Sequence, residues 1–220
     1  MAEFEQIDMS KTTREGTYKW FKSFSNTTYG INAELDITKL LTLSRKRGDS
    51  FFINMLYIVT RGVNNIDEMR IRLVDDTPVK YKIVHPGITV MTKSGNYENA
   101  NLKYYEDYKT FYSEGKKIID EIKNHITPQK RDYNPKNTWD DVYITCLPWL
   151  SFTQMTHPIP DCKSSQSIPR LCWGKFYQNG EKTMITLNIT VSHMFGDGFP
   201  LSQTFIEIQK LLDEAEKYLI

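Results

Sequence analysis

Residues 185–191 alternate apolar and polar positions, with Ile185, Leu187, Ile189 and Val191 on one side. A period of two predicts a half-buried strand. From Leu201 the period becomes helical, and Leu201, Phe205, Ile208, Leu211 and Leu212 form one apolar stripe. Between the two lie His193 and Gly196-Asp197-Gly198, a cluster read as a sharp turn because glycine accepts positive φ.

The same reading organises the rest of the chain. Thr12 or Thr13 caps a first helix to about Phe24, and 27–35 alternates as a strand. Asp36 or Thr38 caps a helix to about Arg47 that Gly48 ends; Asp49 or Ser50 caps the next, 51–63, apolar nearly all round and so deeply buried. Short strands are predicted at 71–74, 79–84 and 88–92, then an amphipathic helix over 105–124 and a polar, proline-bearing loop over 126–138. A strand at 142–146 has a candidate continuation over 149–154 beyond Pro148. The last hairpin joins 171–177 to 183–191 through Gln178-Asn179-Gly180. Helices alternating with strands and hairpins predict a two-layer α/β sandwich on a mixed β-sheet, one domain over 1–220.

Composition narrows the function classes. At 220 residues and 40% hydrophobic content the chain can bury one substantial core, and a formal charge of +1 argues against nucleic acid or an anionic membrane as partner. The longest apolar-rich run, 51–59, is too short to span a bilayer, and the acidic first ten residues are no secretory signal. Cys146, Cys162 and Cys172 lack metal-ligand spacing, so no metal is expected and a reduced, cytoplasmic setting follows. Thirteen tyrosines and eleven phenylalanines suit a pocket for a ring-bearing ligand, and equally an ordinary core.

Among the titratable groups His193 is the candidate general base, since imidazole has its ordinary pKa near neutrality. His85, His125 and His157 sit before prolines or at a helix end and read as turn or surface residues. The run His193-Met194-Phe195-Gly196-Asp197-Gly198-Phe199 resembles the active-site signature of the chloramphenicol acetyltransferase family, and more loosely the His-x-x-x-Asp-Gly of CoA-dependent acyltransferases such as the dihydrolipoyl acyltransferase core. Further likenesses fall in family order along nearly the whole chain. They are Arg14 with Tyr18, Trp20 and Phe21; Thr28-Tyr29; Leu35 to Thr38; Asn64 to Arg70; Val84-His85-Pro86; Leu147-Pro148-Trp149; and Gly174-Lys175-Phe176-Tyr177.

The resemblance implies an acetyl-CoA-dependent O-acetyltransferase acting on chloramphenicol or a similar small hydroxylated acceptor, with antibiotic resistance as the associated role. His193 would take the hydroxyl proton and Thr145, standing where the family has a serine, would stabilise the oxyanion. Asp197 would form a buried ion pair with Arg14, and a bond to its own main chain would fix the His193 tautomer. Trp149, Lys175 and Phe176 would bind acetyl-CoA, although Ser50 replaces a second family lysine, with Arg47 close by. Trp20, Phe21, Thr27, Tyr97, Tyr133 and Cys172 would line the acceptor pocket. A homotrimer with active sites at subunit interfaces is implied as well. A catalytically inactive binding homologue, an acetyltransferase for a different acceptor, and a hydrolase using Ser192 or Thr145 are the rival readings. No Gly-x-Ser-x-Gly elbow supports the hydrolase.

Overall fold

The computed structural model describes residues 3–125 and 139–220. Its main sheet has seven strands: β2 (Thr28–Asp36), β5 (His85–Met91), β6 (Tyr97–Asn101), β7 (Asp141–Cys146), β8 (Arg170–Trp173), β9 (Tyr177–Asn179) and β10 (Lys182–Ser192). The order is β2-β10-β8-β7-β5-β6, with β9 hairpinned onto β10. The β5–β7 and β7–β8 pairs are parallel and the others antiparallel, so the sheet is mixed as expected.

The alternating strand is the long central one, β10, paired to β2 over its last nine residues. It is buried on both sides rather than one: Thr186, Asn188, Thr190 and Ser192 are nearly as enclosed as the apolar positions. Hydrogen bonding makes that burial tolerable. Asn188 Nδ2 donates to Asn32 Oδ1 at 3.0 Å, and His157 Nε2 meets Asn188 Oδ1 at 3.0 Å. Residues 155–157 thus cover part of this polar side. His157, expected to be a turn or surface residue, is a half-buried member of the network.

Helices cover the other side. In α2 (Thr38–Arg47) the left-handed Gly48, φ 70°, ends the helix as its sequence requires. α3 (Phe51–Asn64), capped by Ser50, is buried continuously from Ile53 to Thr60. It packs on α6 (Gly198–Asp213), which comes after the short α5 (Lys163–Gln166) in the chain, so closely that a Cβ at Gly62 would collide with Ile208 Cγ1. α4 (Tyr108–Lys123) lies over β5 and β6, with Phe111, Gly115, Ile119 and Ile122 inward.

A small sheet, β1 (Phe4–Gln6), β4 (Thr77–Tyr81) and β3 (Ile71–Val74), sits beside α1 (Glu15–Lys22). There Met9, Tyr18, Leu73, Met194 and Phe195 form a second apolar cluster that grips the segment after His193.

Several expectations fail locally, among them the cap of the first helix, which is Arg14 rather than Thr12 or Thr13, and the last hairpin, whose residues 178 and 179 belong to β9 rather than to the turn. Residues 149–154 leave the sheet: the ladder ends where Leu147 N–H donates to the Trp173 carbonyl, and Leu150 instead accepts from Lys175 N–H. The strand expected at 79–84 runs Thr77–Tyr81. β6 was not expected at all, because Ala100 is its only apolar inward residue and Glu98, its other inward residue, is buried against His125 Nδ1 at 3.0 Å.

Candidate active site

His193 follows directly on β10, and its N–H donates to the Thr27 carbonyl at 2.7 Å, which continues the β2 pairing by one bond. The imidazole lies between two aromatic rings. Phe21 from α1 stacks on it at 3.9 Å between centroids and 12° between planes; Tyr29 approaches at 4.6 Å and 33°. Nδ1 is buried and has no hydrogen-bond partner among the described residues. The main-chain bond expected to fix the tautomer is not found, and ring packing orients the imidazole instead. Nδ1 being enclosed, Nε2 is the nitrogen left to meet a substrate.

The expected Arg14–Asp197 pair forms, Nη1 to Oδ2 at 2.9 Å. It is not buried: the side chains retain 21% and 41% of their exposure. Asp197 is also the N-cap of α6, its Oδ1 accepting from Phe199 N–H at 3.1 Å. Partial burial would raise its carboxyl pKa, but the hydrogen bonds from Arg14 and Phe199 outweigh it and hold the group below its ordinary value. Gly196 and Gly198 do not have positive φ, so the Gly-Asp-Gly turn is a helix cap rather than a left-handed bend.

Thr145 lies elsewhere on the sheet. It pairs with Cys172, which pairs with Asn188 on β10. Relative to Ser192, Thr145 is therefore about 13 Å back along the strands and about 10 Å across them. Its hydroxyl makes no hydrogen bond among the described residues, and the residue lines a cavity of about 680 Å³. Trp149, Lys175 and Phe176, the expected acetyl-CoA residues, line the same cavity together with Ser50, Phe51 and Trp173. His193 is not among its lining residues.

The six expected acceptor residues do not share one pocket. Trp20, 63% exposed, and Phe21 accompany His193. Tyr97 lines the Thr145 cavity. Thr27 is only 2% exposed, and its hydroxyl is committed to Gln166 and Ser192. Cys172 is wholly enclosed, with a thiol pKa that burial pushes up to about 12. Tyr133 lies outside the described residues. Ser192 Oγ, the rival nucleophile, is buried 2.8 Å from Thr27 Oγ1.

Comparison with known proteins bears on this constellation. Residues 2–209 match the family described as "CAT: Chloramphenicol acetyltransferase". The chain belongs to the chloramphenicol acetyltransferase family. A chloramphenicol acetyltransferase of Proteus mirabilis is 27% identical over 213 residues, covering 96% of this chain and 95% of that one. One from Campylobacter coli is 27% identical and covers 96% and 100%. A solved chloramphenicol acetyltransferase superposes with a TM-score of 0.85 at 26% identity, covering 96% of this chain and all of its own. The dihydrolipoamide acetyltransferase of Azotobacter vinelandii shares the fold at TM-score 0.64 and 15% identity. The protein is thus an acyltransferase of a family that uses acetyl-CoA.

Arg47, close to Ser50 in sequence, is not among the lining residues, and its guanidinium donates to the Leu219 carbonyl. Among the cavity residues that the sequence did not single out are two basic ones, Lys116 and Lys123. Their seven-residue spacing puts both on one side of α4, a signal present in the chain but meaningful only once β5 and β6 are known to lie beneath.

Proposed function

We propose that the protein transfers an acetyl group from acetyl-CoA to a hydroxyl of a small, ring-bearing acceptor, chloramphenicol or a relative of it. The sites would lie between subunits of a homotrimer. The carrying observation is the separation of His193 from Thr145: on one chain the base and the oxyanion donor are too far apart to touch one carbonyl group. A neighbouring copy that sets its Thr145 cavity against His193 would bring them together.

The cavity suits the donor substrate. Phe51, Trp149, Trp173 and Phe176 give apolar walls for a pantetheine arm and aromatic faces for a purine, and Lys175 stands at the rim. Bound acetyl-CoA would supply the acyl group. His193 Nε2 would take the acceptor hydroxyl proton, a role contributing about 10²–10⁴-fold. The imidazolium so formed would lie against the π faces of Phe21 and Tyr29, an arrangement that favours a cation. Thr145 Oγ1–H would donate to the developing oxyanion, worth about 10²–10³-fold in rate. Trp20 would meet the acceptor ring.

Thiol release from acetyl-CoA, measured with and without a panel of hydroxylated aromatics that includes chloramphenicol, tests the reading. Acceptor-dependent release is expected. Release without acceptor would indicate a hydrolase, and no release with any acceptor an inactive binding homologue.

A further inference from the structure

The Thr145 cavity is mostly apolar, yet one wall is charged in a pattern that neither Thr145 nor Lys175 explains. α4 contributes Lys116, Ile119, Asp120 and Lys123 to the lining, four residues on one helical side. Ile119 is buried and anchors that side. Lys116 and Lys123 are exposed, and Lys175 joins the lining from the segment after β8. Among the described residues, three lysines therefore line the space against one carboxylate. Asp120 already holds Lys116, Nζ to Oδ2 at 2.5 Å. Lys123 forms no ion pair among the described residues, and Asp120 feels its charge only as a Coulombic effect that helps lower the carboxyl pKa.

We infer that Lys123 and Lys116 of α4, together with Lys175, bind the phosphate groups of the CoA donor, with Asp120 as an internal competitor for Lys116. The assignment rests on the acetyl-CoA reading of the cavity. It explains how the site manages with Ser50 where a lysine was expected: Ser50 is occupied as the cap of α3 and cannot neutralise a phosphate. Lysine suits the task as a mobile point charge that swings onto an anion without a fixed fork geometry.

Calorimetric titration of the whole protein with CoA, dephospho-CoA and pantetheine tests this, and circular dichroism checks that each variant is folded. Alanine is a good residue for an exposed helical position, so the helix should survive. Lys123→Ala is expected to weaken CoA binding about two- to fivefold at low salt, the range of an exposed charge pair, and the loss should shrink as ionic strength rises. Asp120→Asn is expected to do the opposite and tighten CoA binding by freeing Lys116. A loss with CoA alone assigns Lys123 to the 3′-phosphate, and a loss with CoA and dephospho-CoA assigns it to the pyrophosphate. An equal loss with pantetheine shows that charge is not the cause and overturns the inference. So does undiminished CoA binding by Lys123→Ala when the unaltered protein binds CoA. Failure of the unaltered protein to bind CoA at all takes down the donor reading, and this assignment with it.

Discussion

Asp197 is asked to do two things with one carboxylate, and its exposure decides how much each is worth. As the cap of α6 it is worth about 0.5–2 kcal/mol; as the partner of Arg14 in a half-exposed pair it adds about 0.2–1 kcal/mol. Asp197→Ala should therefore lower the unfolding free energy by about 1–3 kcal/mol in urea at pH 7. Asp197→Asn, which keeps a good cap and loses the charge, should cost at most about 1 kcal/mol. Equal losses in both would mean that the ion pair dominates. Unchanged stability in both with activity abolished would put Asp197 into the chemistry itself. Because the folded-state pKa is depressed, the pair's contribution is present above the ordinary value of 3.8 and lost as pH falls below it. At this scale the position of a residue was easier to read from the sequence than what its side chain touches. His193, Arg14 and Asp197 stand where expected, but Thr27 and Cys172 proved enclosed. Nothing in a chain of letters shows that Gln166, far away in sequence, will claim the Thr27 hydroxyl.

Among the elements, β7 carries an acid in an unusual setting. Asp141 opens the strand, is 3% exposed and accepts from Asn101 Nδ2 across the sheet. Burial first, and the neighbouring charge of Asp140 second, push its pKa up to about 7. A carboxyl whose folded-state pKa is raised contributes most below about pH 4, and that contribution is lost as pH climbs through about 7. Asp141→Asn should accordingly flatten the stability profile between those limits, which unfolding at successive pH values can read. A parallel slope in parent and variant would show that Asp141 is not the source. The long elements were legible because their periods are strong: α3 and α6 appear within a few residues of where their stripes and caps put them. β6 was illegible because it is an edge strand with polar residues on its open side and a buried Glu98–His125 pair instead of an apolar stripe.

For the whole molecule, the arrangement of β7, β8 and β10 has a consequence that no single chain can express. If the acid–base group of one subunit serves the cavity of the next, a Thr145→Ala subunit and a His193→Ala subunit are each strongly impaired alone but complementary together. Co-expression of the two should restore a fraction of parental activity through sites that pair an intact base with an intact donor. No recovery in mixed assemblies of confirmed composition would place each site within one chain and require the sheet row to be crossed some other way. The layered α/β architecture followed from the alternation of elements, but strand order did not, since pairing partners are set by contacts distant in sequence.

The stacking of Phe21 on His193 also leaves a spectroscopic trace. Protons held over an aromatic face are shielded by its ring current, so the His193 ring signals should resonate upfield of those from the other three histidines. That displaced resonance would report occupancy at the heart of the protein, shifting when a ligand slides in or a second molecule docks, long before any turnover is measured.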